Sequence, residues 1–181
     1  VAWVDGIPEF RASDGEKFYL AIKKDLCWVC GNKLGAFKTF VSGPMCGINR
    51  NTAEPPCHLD CAEWSARNCP FLSNPDAVRN ERNLEGENPG GIFIKRNPGI
   101  TLLWTTKKYW LRKVSNGFLI SIGDPNNIIF YTKGRKATKE EIIQSIEDGC
   151  PVLLNAAKEE GVEELFYKAK VEFLNLVEEF L

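Results

Sequence analysis

The chain has 181 residues, of which 44% are hydrophobic and 26% charged, and its formal net charge is −1. A chain of this kind builds one solid globular domain, or a small stapled lobe beside a core domain. It has no apolar run near the roughly 18 residues that cross a membrane, and its opening stretch, VAWVDGIPEFRASDGEK, has no basic segment ahead of an apolar one, so neither a membrane partner nor a secretory signal is expected.

Residues 1–24 form a lead-in whose apolar positions Phe18, Leu20 and Ile22 fit a helix or a strand equally. Residues 25–72 hold six of the seven cysteines. Residues 73–91, SNPDAVRNERNLEGENPGG, nearly lack large apolar side chains and have the composition of a linker or long surface loop. After them, GIFIK, TLLWTT, KYWLRKV, GFLISIG and NIIFYTK are short β-branched and aromatic runs, divided by turn sequences at 96–99, 115–117 and 123–127. Four or five strands of an antiparallel sheet are expected there. Thr138 and Glu141 form a capping box ahead of Ile142, Ile143 and Ile146. That helix is expected to stop at Gly149, with Pro151 behind it and a short helix over 151–160 ended by Gly161. A last amphipathic helix carries Leu165, Phe166, Ala169, Phe173, Leu176, Val177 and Phe180 on one face, a stripe that reads as core before it reads as a dimer surface. The oligomeric state is left open.

The odd number of cysteines and their clustering between Cys27 and Cys69 argue against a secreted disulfide scaffold and for a reducing, cytoplasmic location. In CWVCGNKLG (27–35), Cys-x-x-Cys-Gly makes a tight turn that aims two sulfurs at one point. Pro55 and Pro56 suit a helix entrance, and CHLDCAEWSAR follows with helical character. On that helix His58 and Cys61 are i,i+3, while Cys57 and Cys61 are i,i+4, so either pair shares a face, and the helix N-terminal amides favour a thiolate. Cys27, Cys30, His58 and Cys61 are the expected ligands of one tetrahedral zinc in a treble-clef-like lobe, with Cys57 as the substitute should His58 point away. Four protein ligands leave no position for water, so the zinc is structural. Cys46 and Cys69 are left for a second site with Cys57, or for burial as small apolar groups. An iron–sulfur cluster is the rival cofactor, weakened by the absence of compact ferredoxin spacing.

The run from Cys27 to Leu72, with its CxxCG, GPMC, NR, EPPCHxxC and CPFL segments, resembles a family of small uncharacterised proteins encoded by phages and bacteria. YTKGRKATKEEIIQSIEDGCPVLL (131–154) resembles a later part of the same family, and together the two stretches cover under half of the chain. The resemblance implies a phage-type accessory protein of unknown biochemistry, a setting in which a role such as interfering with a host defence or host enzyme would fit. It supplies no catalytic residue.

Charge is unevenly spread. Residues 1–90 carry net −2, residues 91–139 net +9 with Asp124 the single acid, and residues 140–181 net −8. Lys107, Lys108, Arg112 and Lys113 are interleaved with Trp104 and Trp110, a composition that suits single-stranded nucleic acid. The favoured alternative is that the acidic C-terminal helix neutralises this sheet internally, or that these cations form an ordinary solvated face. Arg50, in GPMCGINRNTAEPP, and Arg135, in KGRK, are candidate phosphate or ligand contacts, although ordinary loop hydrogen bonding is the preferred reading of the Arg50 loop. The one histidine is wanted by the zinc, which leaves none for a nuclease or for a cysteine nucleophile. Deaminase signatures and phosphate-binding glycine loops are absent.

The sequence therefore predicts an α+β protein: a zinc-stapled lobe over 1–72, a linker over 73–91, and an antiparallel sheet with C-terminal helices over 92–181. The leading functional expectation is a non-enzymatic protein that binds a host protein or nucleic acid. A nucleic-acid-binding protein allied to a nuclease and a small-ligand binder are the alternatives.

Overall fold

The computed structural model describes residues 2–4, 6–9, 11–80, 82, 96–115 and 117–181. The strand expected at 91–95 and most of the 73–91 linker lie outside the described residues.

Strands β1 (Ala2–Val4) and β2 (Ile7–Glu9) pair as a short antiparallel ribbon. The ambiguous stretch after them is helical. Helix α1 (Gly15–Lys24) starts where the Asp14 carboxylate accepts the backbone N–H groups of Glu16 and Lys17, each at 3.0 Å, which satisfies donors that a helix start otherwise leaves orphaned. The cysteine-rich segment then supplies β3 (Lys38–Ser42), α2 (Pro44–Asn49), β4 (Asn51–Thr52), α3 (Leu59–Asn68) and α4 (Pro70–Ser73). The remaining elements are β5 (Thr101–Thr106), β6 (Tyr109–Val114), β7 (Gly117–Ile122), β8 (Asn127–Thr132), β9 (Arg135–Lys136), α5 (Lys139–Glu159) and α6 (Glu163–Phe180).

The strands expected from TLLWTT onward form, but they divide between two antiparallel sheets, ordered β3-β5-β8-β9 and β4-β7-β6. The early segment completes both: Phe40 of β3 pairs with Trp104, and Thr52 of β4 with Ile120. Hydrogen-bonded ladders thus join the 1–72 and 92–181 segments. All six residues of β5 are buried, because this central strand is covered on both faces. Leu102 and Trp104 enter the main core with Phe40, Phe130, Ile142, Ile146, Phe173 and Val177. Leu103 enters a second core with Leu34, Cys57, Ala62, Ala66 and Tyr131, beneath α3. The larger sheet therefore lies between α3 on one face and α2, α5 and α6 on the other.

Helix α5 carries the expected capping box but does not stop at Gly149; it runs through Pro151 to Glu159. Proline inside a helix costs about 3 kcal/mol. Here the second half of the helix buries Cys150 and Ala157 in the main core with Leu153 and Leu154 packed against it. Gly149 lets α5 approach Met45, whose Cε would lie 2.8 Å from a Cβ at that position. The helix ends instead at Gly161 (φ +70°), where the Val162 N–H reaches Ala157 O at 2.8 Å and the Gly161 N–H reaches Lys158 O at 3.1 Å, a Schellman closure.

The protein is thus α+β, with antiparallel sheets, C-terminal helices and a Cys/His cluster in its N-terminal region. Among the described residues no helix is long and apolar enough to cross a membrane.

Candidate metal centre

The chain after α1 reverses in a short turn that aims two sulfurs. Leu26 bridges Lys33, the Cys27 N–H donates to Asn32 O at 2.8 Å, and the Gly31 N–H closes back on Cys27 O at 2.8 Å. Gly31 has φ +75°, a conformation in which a side chain is strained. The other two donors come from the start of α3. The helix begins at Leu59, three residues beyond the proline pair, and His58 is its N-cap. Pro56 instead tethers the turn, accepting the Trp28 N–H at 3.0 Å. A cap and the third helical residue remain adjacent, so the i,i+3 relation of His58 and Cys61 survives the shift.

The donor atoms of Cys27, Cys30, His58 and Cys61 all lie within 4.8 Å of one another. His58 Nδ1 is 3.4 Å from Cys30 Sγ and 3.9 Å from Cys61 Sγ, and Nε2 is 3.1 Å from Lys33 O. A carbonyl only accepts, so Nε2 carries the proton and the Nδ1 lone pair faces the sulfurs, the orientation a metal-bound imidazole requires. Sequence reasoning had no signal for Lys33, which acts through its main chain.

Electrostatics at the cluster point the same way. Burial pushes the Cys27 thiol up, but the backbone N–H groups of Cys30, His58 and Val29 outweigh it and bring the thiol down to about 7. Two of those contacts are 3.5 Å (Cys30) and 3.4 Å (His58). Burial and the neighbouring Cys27 and Cys30 sulfurs push Cys61 up to about 12. Several sulfurs gathered at one point compete for negative charge, and a bound cation removes that conflict. The donor set fits a metal ion: it can hold one through three sulfurs and one nitrogen.

Cys57 does not join them. It is buried, its thiol donates to Thr39 O at 3.3 Å, and burial raises its pKa; the role of substitute ligand is not needed because His58 faces the sulfurs. Cys46 lies on α2, where burial pushes its thiol up to about 11, and Cys69 lies between α3 and α4. Neither belongs to a group of three or more metal-ligating side chains among the described residues.

The other candidates separate into two groups. Trp104 has no exposed surface, so it cannot stack on a base; its Nε1–H donates to Gly123 O at 2.9 Å. Arg50, in the left-handed region at φ 56°, lies over the Trp104 ring and also reaches Gly123 O at 3.4 Å. Arg135 makes two hydrogen bonds to the Glu141 carboxylate, at 2.9 and 2.6 Å. By contrast, Lys107, Lys108, Trp110, Arg112 and Lys113 are all exposed. The C-terminal helices neutralise part of the basic segment, since Glu141 pairs with Arg135 of β9 and Glu178 with Lys139, but among the described residues no ion pair reaches Lys107, Lys108, Arg112 or Lys113.

Comparison of the chain with protein-family models, curated proteins and solved structures gave no match.

Proposed function

We propose that the chain is a non-enzymatic binding protein of the phage and bacterial kind it resembles, held together by structural zinc and directed at a host macromolecule through its basic β6 side. The carrying observation is the donor set: three sulfurs and one imidazole nitrogen gathered within 4.8 Å, with the second imidazole nitrogen tied to Lys33 O. Such a set suits tetrahedral zinc better than an iron–sulfur cluster, which is commonly held by four thiolates. When bound, zinc offsets the charge of the gathered thiolates and pins the turn at Cys27 and Cys30 to the start of α3. Because all four positions are protein ligands, the ion serves as a clamp. His58 is the only histidine in the chain, so its place at the metal removes the usual acid–base group from other chemistry.

The test has two parts. Elemental analysis of purified protein is expected to give one zinc per chain, and iron in its place would overturn the zinc assignment. Retention on immobilised heparin, a polyanion probe, should fall sharply in Lys107→Glu/Lys108→Glu while zinc content stays unchanged. Equal retention of the two proteins would remove the β6 side from the account.

A further inference from the structure

We infer that the outer face of the β4-β7-β6 sheet binds single-stranded nucleic acid, with Trp110 as a base-stacking platform and Lys108 and Arg112 as phosphate contacts. The inference rests on the binding reading above and names the partner of the basic side.

The register divides the faces. Tyr109 pairs with Ile122 and Leu111 with Ile120, and these four turn inward to the main core. Trp110 pairs with Ser121 and Arg112 with Leu119 on the opposite face, beside Asn51, whose Oδ1 accepts the Ser121 hydroxyl at 2.9 Å. Trp110 is 57% exposed, an unusual cost for the largest apolar side chain on a sheet that already has a filled core. Cations flank it along the chain. Lys108 precedes β6, Arg112 is two residues along the same face, and Lys107 lies 5.1 Å from the ring of Phe37, itself half-exposed.

Their charge is unspent. Asp124, the single acid between residues 96 and 139, is 3.6 Å from Arg50. Among the described residues Lys107, Lys108, Arg112 and Lys113 form no ion pair. A protein partner would also accept Trp and Arg, but protein interfaces are depleted in lysine. Exposed aromatics amid unpaired cations are what unstacked bases and a phosphate chain require together. A duplex keeps its bases stacked and gives Trp110 nothing to meet.

The experiment is fluorescence anisotropy of labelled oligo-dT and oligo-U, about fifteen nucleotides long to span a typical site, with the zinc-loaded full chain over a salt series. Wild type should bind, and Trp110→Ala should weaken binding about tenfold. Lys108→Glu/Arg112→Glu should reduce the log–log salt slope by about 1.4, the share of two phosphate contacts on a single strand. Lys168→Glu, on α6, is the control and should bind as wild type. Trp110 is exposed, so its variant should keep its zinc and melting temperature, which confirms folding. The inference is overturned by absence of oligonucleotide binding at low salt, by an unaltered Trp110→Ala, or by tighter binding to a matched duplex. Heparin retention that depends on Lys107 and Lys108 without oligonucleotide binding would sink this inference and leave the broader binding proposal standing. Loss of both would end both.

Discussion

The Arg50 guanidinium lies 4.4 Å from the centre of the Trp104 ring, and both side chains donate to the carbonyl of Gly123. The cation caps a tryptophan that also stacks on Phe173 of α6, with ring centroids 6.4 Å apart. Burial lowers the Arg50 pKa, and Asp124 and Glu172 oppose that shift. The arrangement joins the end of α2, the centre of the larger sheet and the loop after β7. Arg50 is therefore a fold-holding residue. Arg50→Ala should lower unfolding free energy by about 1–2 kcal/mol, the combined loss of a partly desolvated cation–π contact and a hydrogen bond. Urea denaturation checks this, and heparin retention of the folded variant should match wild type.

Removing different cysteines should give opposite metal outcomes. Cys61→Ala takes one donor from the four-atom group, and the purified protein should carry well under one metal ion per chain. Cys57→Ala takes a thiol that faces Thr39 O, and should keep full metal content at a cost of about 1 kcal/mol in stability. Elemental analysis with parallel thermal melts separates the two. If Cys57→Ala loses its metal, the ligand assignment is wrong.

Because metal-binding energy is folding energy when the unfolded chain offers no site, chelation should lower the melting temperature of wild type. The effect should reach beyond the turn at Cys27, since the N–H of Cys57 and that of Thr39 each bond the other's carbonyl, at 2.8 and 2.9 Å. Hydrogen exchange after chelator treatment is expected to accelerate at α3 and β3 while α6 stays protected.

The contrast between the metal centre and the sheets shows what the sequence carries. Cys27, Cys30, His58 and Cys61 are readable because each pair is local: a tight turn aims one pair and a helix start aims the other. The division into two sheets is not, since β3 and β4 find their partners far along the chain, as with Lys38 and Thr106. Trp104 and Trp110 look alike in sequence, amid the same cations, yet one is central and buried and the other exposed. Only the strands beside them make that difference. At Gly149 and Pro151 the local stop signals are legible and are overridden by packing on Met45 and the main core. Segment charge likewise shows imbalance without showing where the charges meet.

The capping box of α5 gives a pH-dependent prediction. The Arg135 guanidinium and the Thr138 N–H hold the Glu141 carboxylate at about 2, below its ordinary 4.5. A depressed carboxylate contributes stability above its unfolded pKa and loses it as pH falls through the folded value. Glu141→Gln should therefore cost about 0.5–1 kcal/mol at neutral pH, a modest figure because the pair is partly solvated. The difference between the two proteins should shrink as pH falls from about 4.5 toward 2. Denaturant melts of both proteins across that range test it; a gap that stays constant would remove the Arg135–Glu141 pair as its source.

Gly47→Ala pits local propensity against packing. Alanine is favoured over glycine inside a helix by about 1 kcal/mol, and α2 is a helix. A Cβ at Gly47, however, would lie 2.3 Å from Phe173 Cε2 and 2.9 Å from Leu102 Cδ2. The Phe173 ring cannot step aside cheaply, because it is 1% exposed and flanked by Trp104 and Phe130. Overpacking of this kind costs about 1–3 kcal/mol or more, so the clash wins and the variant should unfold at lower urea. Gly149→Ala is the informative partner: its Cβ would meet Met45 along its Cε, Sδ and Cγ, at 2.8, 2.9 and 3.0 Å, an unbranched side chain that adapts more readily than a ring, and its cost should be smaller. Metal content should be unchanged in both, since neither glycine touches Cys27, Cys30, His58 or Cys61. A Gly47→Ala protein as stable as wild type would mean that α2 and α6 do not approach as closely as the glycine implies.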